Sequence, residues 1–578
     1  MKKVIALVMM LVVLGTCTAL AKDAVYDVVI VGGGPAGLSA AIEASEAGAD
    51  VLLVEKNAIL GGALRFTSGS ISGAGTKIQA AQGIEDSPRS HFMDIAIEGD
   101  FKLNPELLWL YVNLAGPTID WLVEELGVEV TEAVFAPEHT LYSVPRTYKP
   151  AQIDGTAAVL VALLNKIETY DNLTVLTQTE VIRLIQDELT GRVIGVMAVD
   201  NSGKLVEFYA RNGVVLATGG FGSNPAMLQK YVPGSENWLM LAAPGSTGDG
   251  HRMAREIGAA LTNMEYVPTY NYGFEMSNGQ VKMVYVRSEL FGGIYVNKDG
   301  KRFVNELAIQ KQREKALREQ PDSVMFEIFD SAINQANNRP HVNELIEAGE
   351  IVSANTLWEL AEKIGLDPET FVNTITTYNA YVDAGKDLDF GKSPLSVKIE
   401  NPPFYAAKLR PLGLLTLGGV EIDLNTRVLD TEGNVIPGLF AAGEIIGSLH
   451  GTHISSGNGV TAPIVFGRLA GQQVVMTEPF AMFSSSSSKT ELTLNDGTYR
   501  GVGNGFGGEM LVEVVVQDGK ISIVNVLSHK DTPAIAENAI NTLVQRIVEA
   551  NSVDVDGVSG ATRTSQGLIS AVKDALID

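Results

Sequence analysis

Cysteine is nearly absent from this chain: its 578 residues contain one, Cys17. A single thiol closes no disulfide within the chain, builds no iron–sulfur cluster and supplies no Cys-x-x-Cys-His attachment for haem. Positive charge is also short, with 43 Lys and Arg against 68 Asp and Glu, a net charge of -25 and a pI near 4.8. That balance argues against nucleic acid or an anionic membrane surface as partners. Long apolar runs are scarce as well, and the one at residues 4–14 is too short to span a bilayer. No internal repeat is evident. The length exceeds what one hydrophobic core usually holds, so two to four domains are expected.

The N-terminus reads as an export signal. Lys2-Lys3, the apolar run and Ala19-Leu20-Ala21 supply its charged, hydrophobic and small-residue parts, with cleavage expected after Ala21. This predicts an extracytoplasmic protein, in the periplasm or at the cell surface. A lipoprotein signal is the rival reading, because Leu14 stands three residues before Cys17, although Thr16 beside the cysteine is atypical. Removal of this segment leaves a mature chain without thiols and without haem. Its electrons must then travel through flavins and come from an external donor protein or a quinol or flavin carrier.

The first cofactor signal follows at once. Residues 25–31 form a buried-strand run, Gly32-Gly33-Gly34-Pro35-Ala36-Gly37 supplies Gly-x-Gly-x-x-Gly, and residues 38–47 read as a helix ended by Gly48. Gly32, Gly34 and Gly37 permit the tight turn and a close pyrophosphate, which the helix N-terminus favours. A second strand at 50–54 ends at Glu55, placed to accept hydrogen bonds from a ribose. The complete strand, turn, helix, strand and acid unit is far more specific than the glycines alone, yet does not separate FAD from NAD.

The last ninety residues form another unit. Residues 511–516 and 521–526 are β-rich runs joined through Asp518-Gly519, a hairpin signal. Residues 534–550 read as an amphipathic helix with Ala536, Ile540, Leu543 and Ile547 on one face. Asp556-Gly557-Val558-Ser559-Gly560-Ala561-Thr562-Arg563-Thr564-Ser565 resembles the site where an FMN transferase joins FMN to threonine through a phosphodiester. With Asn495 to Gly501 and the glycine run Gly503 to Gly508, the whole segment resembles an FMN-binding domain. The resemblance implies covalent FMN on Thr562, with Asp556 placed to hold a metal during transfer.

Gly61-Gly62, Ala217-Thr218-Gly219-Gly220, Thr247-Gly248-Asp249-Gly250 and Gly438-Leu439-Phe440-Ala441-Ala442-Gly443-Glu444 recur in an order that resembles the FAD subunit of the fumarate reductase and succinate dehydrogenase superfamily. The likeness is to the soluble branch with flavocytochrome c fumarate reductase and urocanate reductase. It implies an α/β fold: a Rossmann-like FAD-binding domain (22–264 and 416–478), an inserted α+β capping domain (265–415) and a small α+β FMN-binding domain (489–578). Residues 1–21 are the signal and the serine-rich 479–488 a linker. The implied FAD site takes in Gly32, Gly34, Gly37, Glu55, Gly62, Thr218, Gly219, Asp249 and Glu444. Phe66-Thr67 stands where some relatives carry a histidine bonded to FAD, so the FAD is expected to be non-covalent.

The family's substrate-binding residues are largely replaced. The position of its proton-donating arginine is Gln310, and those of its carboxylate-binding histidine and arginine are Leu415 and Ile454. A further histidine position is Val267. A dicarboxylate buried without paired cations costs several kcal/mol, so fumarate and succinate are poor expectations. Of the remaining polar groups, Arg287, Arg313, Tyr405 and His453 are the candidate catalytic residues, Arg313 as a relocated proton donor. The sequence therefore predicts an exported reductase that passes electrons from an external donor through FMN and FAD to a small organic acceptor. A dehydrogenase resembling the 3-ketosteroid Δ1-dehydrogenases and a non-catalytic flavin electron carrier are the alternatives.

Overall fold

The computed structural model describes residues 24–576 apart from 131–133, 136–140, 396, 481–494, 532, 554, 556 and 559–560. The signal segment with Cys17, the serine run and Asp556 lie outside the described residues. Two compact units emerge, one of Val28–Leu205 with Gly213–Thr477, the other holding Glu478–Asp578 together with the residues up to Asp27 and with Val206–Asn212.

The larger unit is built on a sheet whose strands run in the order Arg427–Leu429, Val435–Ala441, Leu205–Leu216, Ala24–Val31, Val51–Val54, Leu173–Leu176. Val28 to Val31 pair in parallel with Val51 to Val54, which pair in turn with Leu173 to Leu176. The central strands are buried on both faces, and so read as continuous Val/Leu/Ile runs rather than alternating ones. The helix Pro35–Glu46 packs against Asn458–Val475 at very close range. A Cβ on Gly467 would fall 2.3 Å from the Ala36 carbonyl oxygen, and one on Gly471 2.4 Å from that of Ala40. Small residues on both helices therefore bring the second helix over the first turn of the nucleotide-binding unit.

The inserted region forms a second sheet, in the order Val281–Met283, Thr269–Glu275, Phe404–Gly413, Met325–Asp330, Ile294–Asn297. Leu239–Met240 and Val352–Ala354 also pair with Phe404–Gly413, so this sheet draws in two residues from before position 265. The inserted region's helices include Leu357–Ile364 and Pro368–Ala384. The segment Lys301 to Glu306 is architectural. Arg302 donates to both carboxylate oxygens of Glu306 at 2.8 and 2.9 Å and to Asp387 at 3.2 and 2.9 Å. This buried cluster fixes the turn that leads into the helix Gln310–Arg318.

The smaller unit has a three-stranded antiparallel sheet, Gly497–Asn504, Glu509–Gln517 and Lys520–Ser528, with helices Pro533–Ala550 and Thr562–Leu576. The Asp518-Gly519 turn takes positive φ at both residues, 53° and 71°, as a tight hairpin requires. Ala536, Ile540, Leu543 and Ile547 face its core as predicted.

Candidate functional site

The glycine turn leaves a bare backbone surface. Gly32 has φ 107°, and a Cβ there would lie 2.3 Å from the Ala217 carbonyl oxygen; one on Gly37 would lie 1.8 Å from that of Gly32. Both glycines are demanded by packing. At Gly34 a Cβ would meet nothing nearer than Gly62 Cα, 4.0 Å away, because this residue opens into a cavity of about 260 Å³. Gly32, Gly34, Glu55, Lys56, Gly62, Thr218, Gly219, Asp249 and Glu444 all line that cavity, whereas Gly37 shapes the turn from behind.

The acid is preorganised there. One Glu55 oxygen accepts the Gly33 amide at 2.7 Å, and the other accepts the Asn57 amide and side chain at 2.8 and 2.6 Å. Across the cavity Lys56 Nζ lies 2.6 Å from Asp249 Oδ2 and 2.5 Å from Thr247 Oγ1. Burial opposes the charge on Asp249, but the hydrogen bonds from Lys56 and Thr247 outweigh it and hold the carboxyl below its usual range. Lys56 was not singled out in the sequence, since its partner lies 193 residues away. Thr218 Oγ1 is buried without a protein partner while its residue lines the cavity. An extended ligand with hydroxyl and phosphate groups fits this arrangement, so the residues suit FAD.

A second cavity, of about 100 Å³, adjoins the first through the shared residues Ala63, Ala217, Gly219 and Glu444. Its lining is mainly apolar and includes Leu64, Leu415, Ile454, Val460 and Phe466. Leu415 and Ile454, the replacements for two carboxylate-binding residues, thus face the interior, and the end of each side chain lies 3.7 Å from where a Cβ on Gly459 would stand. Burial drives the Glu444 carboxyl upward, against the opposing hydrogen bonds from Thr416 and the Gly220 amide. His450 also lines the cavity, and burial holds its imidazole down at about 3. Behind it Tyr111 donates to Asn458 Oδ1 at 2.7 Å, which also lies 3.2 Å from His91 Nε2. That oxygen only accepts, so the His91 proton is assigned to Nε2. These groups form a neutral support.

The four predicted catalytic residues separate into three places. Arg313 lies under the cap sheet, donating to Glu289 and the Tyr295 hydroxyl at 3.2 Å and to Tyr272 and Gln310 at 3.3 Å. Burial works against its charge, but Tyr295, Tyr272 and Glu289 overcome that and raise its pKa further. Arg287 sits beside it with φ 60°, 3.8 Å from Glu289 and over the rings of Tyr272 and Tyr285. Gln310 joins the same network, accepting from Tyr272 at 2.9 Å and donating to Asn271 at 3.0 Å. His453 pairs with buried Glu314 at 2.8 Å. Tyr405 packs on Phe329 in the cap's hydrophobic cluster, with ring centroids 5.2 Å apart. That places it among structural side chains, away from the residues lining the two cavities. Val267 is likewise buried, beside Phe221, Leu228 and Met264.

In the smaller unit, Thr562 is the first residue of its helix, where amide groups and the helix dipole favour a phosphate. The flanking motif residues hold the approach. Ser565 Oγ accepts the Val558 amide and donates to the Ala561 carbonyl, both at 2.9 Å. Thr564 bonds Asp531, whose carboxylate also accepts the Gly507 amide at 2.5 Å. The glycine run and the threonine motif, distant in sequence, thus form one site whose residues suit FMN.

A dinucleotide cradle joined to a buried apolar cavity, in a unit with an inserted cap, defines an FAD-dependent oxidoreductase. The chain belongs to the FAD binding domain family, which matches residues 27–460, and an FMN-binding domain matches residues 505–577. A fumarate reductase (cytochrome) of Shewanella frigidimarina is 32% identical over 447 residues, 77% of this chain and 76% of the relative. A urocanate reductase of Eggerthella lenta is 34% identical, covering 77% and 74%. A vinyl phenol reductase of Lactiplantibacillus plantarum is 30% identical, covering 75% and 92%. Among solved structures, the open conformation of a flavocytochrome c3 fumarate reductase matches with TM-score 0.69 at 29% identity, over 78% of each chain. A 3-ketosteroid-delta4-(5alpha)-dehydrogenase of Rhodococcus jostii RHA1 matches with TM-score 0.63 at 28% identity, over 80% of this chain and 99% of the other.

Proposed function

We propose that this protein is an exported reductase of small organic acceptors that carry an activated carbon–carbon double bond and at most one carboxylate. An external donor, protein or carrier, delivers electrons to FMN that a transferase has joined to Thr562, and they leave through non-covalently bound FAD at the apolar cavity. FAD, when bound, supplies hydride transfer. Glu55, the Gly33–Gly34 backbone, Thr218 and the Lys56–Asp249 pair would hold its nucleotide part; Glu444, Thr416 and the apolar lining would shape the reacting end and exclude water.

The apolar pair Leu415 and Ile454 in the second cavity carries the substrate reading. Two carboxylates beside these side chains would lose hydration without gaining cations, a penalty of several kcal/mol. Fumarate and urocanate reductases and a vinyl phenol reductase among the relatives support a double bond as the reacting group. The test uses the flavin-loaded protein with reduced methyl viologen as donor and a panel of dicarboxylates, monocarboxylic enoates, enones and vinyl arenes. Turnover of uncharged or singly charged acceptors, with fumarate slower by at least ~10²-fold for want of cations to pair its two carboxylates, is expected. Rapid fumarate reduction would sink the proposal. The fold shared with the steroid dehydrogenase supports a second reading, dehydrogenation of a carbon–carbon bond near the carbonyl of an uncharged ketone, which the same protein would reveal by reducing a dye with a 3-ketosteroid.

A further inference from the structure

The FMN-binding unit exposes an aromatic ring that its own packing does not use. Phe506 is 59% exposed at the turn between the strands Gly497–Asn504 and Glu509–Gln517. The turn is nevertheless fixed. The Gly505 amide donates to the Gly508 carbonyl at 2.8 Å, and the Gly507 amide to Asp531 at 2.5 Å. A Cβ on Gly505 would come within 2.5 Å of the Asp531 carboxylate, and one on Gly507 within 2.0 Å of the Lys530 carbonyl oxygen. The backbone therefore lacks room to turn inward and bury the ring.

The same turn is locked to the helix that begins at Thr562. A Cβ on Gly503 would stand 2.1 Å from the Gly567 carbonyl oxygen, and one on Gly567 2.6 Å from the Gly505 nitrogen, so bare backbones touch there. The guanidinium of Arg563, the residue after Thr562, lies 5.9 Å from the centre of the Phe506 ring. Ring, cation and attachment residue thus belong to one rigid corner. A flat, electron-poor heterocycle tethered there by a flexible chain finds an aromatic face for offset stacking and a cation that favours negative charge on the reduced ring.

We propose that Phe506 is the stacking surface for the isoalloxazine ring of FMN held on Thr562, with Arg563 beside it. This rests on the attachment reading above. The test compares full-length, flavin-loaded wild type with Phe506→Ala and Phe506→Tyr, FAD being bound in all three so that its contribution cancels. Intact mass reports attachment, and iodide quenching of flavin fluorescence with visible circular dichroism reports the ring's surroundings. Phe506→Ala should keep the mass of attached FMN, raise iodide accessibility of that flavin about twofold because one ring face is uncovered, and flatten its circular dichroism. Phe506→Tyr should retain wild-type protection. Unchanged quenching and dichroism in Phe506→Ala with FMN attached would overturn the stacking proposal alone. Absence of the added mass in wild type coexpressed with a flavin transferase would overturn the attachment reading and this proposal together.

Discussion

Replacing Gly34 by valine should remove FAD while leaving the fold in place. The residue has φ -78° and ψ -176°, extended backbone that valine adopts readily. A Cβ there clears every protein atom by 4.0 Å or more, and the two methyl groups would project into the cavity of about 260 Å³ where the pyrophosphate must approach. The intrinsic cost is that of valine for glycine at a helix N-cap, about 1 kcal/mol. A larger loss comes by linkage: a ligand at a thousand times its Kd stabilises by ~4 kcal/mol, which the variant forfeits. Acid precipitation separates released FAD from flavin that stays with the polypeptide. The variant should release no FAD, keep its covalent flavin, melt lower than the wild-type holoprotein and gain nothing from added FAD. Gly37→Val is the contrasting control, since its Cβ would strike the Gly32 carbonyl oxygen at 1.8 Å and should prevent folding of this unit. Stoichiometric FAD in a folded Gly34→Val protein would refute the placement.

Thr562→Val should abolish the covalent flavin seen by intact mass and leave FAD bound; equal flavin mass in both proteins would show that attachment lies elsewhere. The double variant Leu415→His with Ile454→Arg should acquire succinate binding, read as a perturbation of the flavin spectrum absent in wild type, and should melt lower without ligand because it buries an unpaired cation. Acid should destabilise the larger unit through His91 and His450, both held near pH 3 by burial against an unfolded value of 6.5. Their folded pKa values are depressed, so the unfolded chain binds more protons between pH 6.5 and 3 and stability falls with pH across that window, by roughly 3 kcal/mol per histidine at pH 4. Replacing either by asparagine should flatten the melting temperature between pH 7 and 4, and an unaltered slope would contradict the assignment.

The nucleotide-binding unit was legible because its signals are local. One strand, three glycines, one helix and the acid at the next strand end each impose their own geometry, and the hairpin at Asp518-Gly519 is local in the same sense. What stayed hidden depends on partners far apart in the chain. Lys56 finds Asp249 only after the parallel sheet has formed, and Arg302 finds Asp387 across the cap. Tyr405 illustrates the opposite error. It is a candidate catalytic residue by type, yet its strand pairs it opposite Phe329 and Ser353, inside the cap. Strand register decides such a side chain's surroundings, and one sequence without a pairing partner does not reveal register.

The helix Gln310–Arg318 bears directly on how a proton reaches the acceptor. Gln310 and Arg313 turn toward the cap sheet, while Lys311 and Glu314 hold the other side. Lys311 reaches Asp100 at 2.5 Å, the Glu98 carbonyl at 3.2 Å and Thr452 at 3.3 Å, and Glu314 reaches His453 at 2.8 Å. The helix therefore ties the cap to the segments at 98–100 and 450–453, the latter adjoining the apolar cavity at His450 and Ile454. Arg313 is poorly suited to donate a proton. Its tyrosine and glutamate neighbours strengthen an already strong base, and a general acid works best when its pKa lies near the working pH. Its hydrogen bonds instead brace Tyr272 and Gln310, a positioning role. His453 differs in placement: its Nε2 lies 2.8 Å from the Glu314 carboxylate, one residue from Ile454 in the cavity wall. Of the four candidate residues, His453 is the first to test as the acid that accompanies hydride delivery, and that role requires His453→Gln to lose turnover while both flavins are retained.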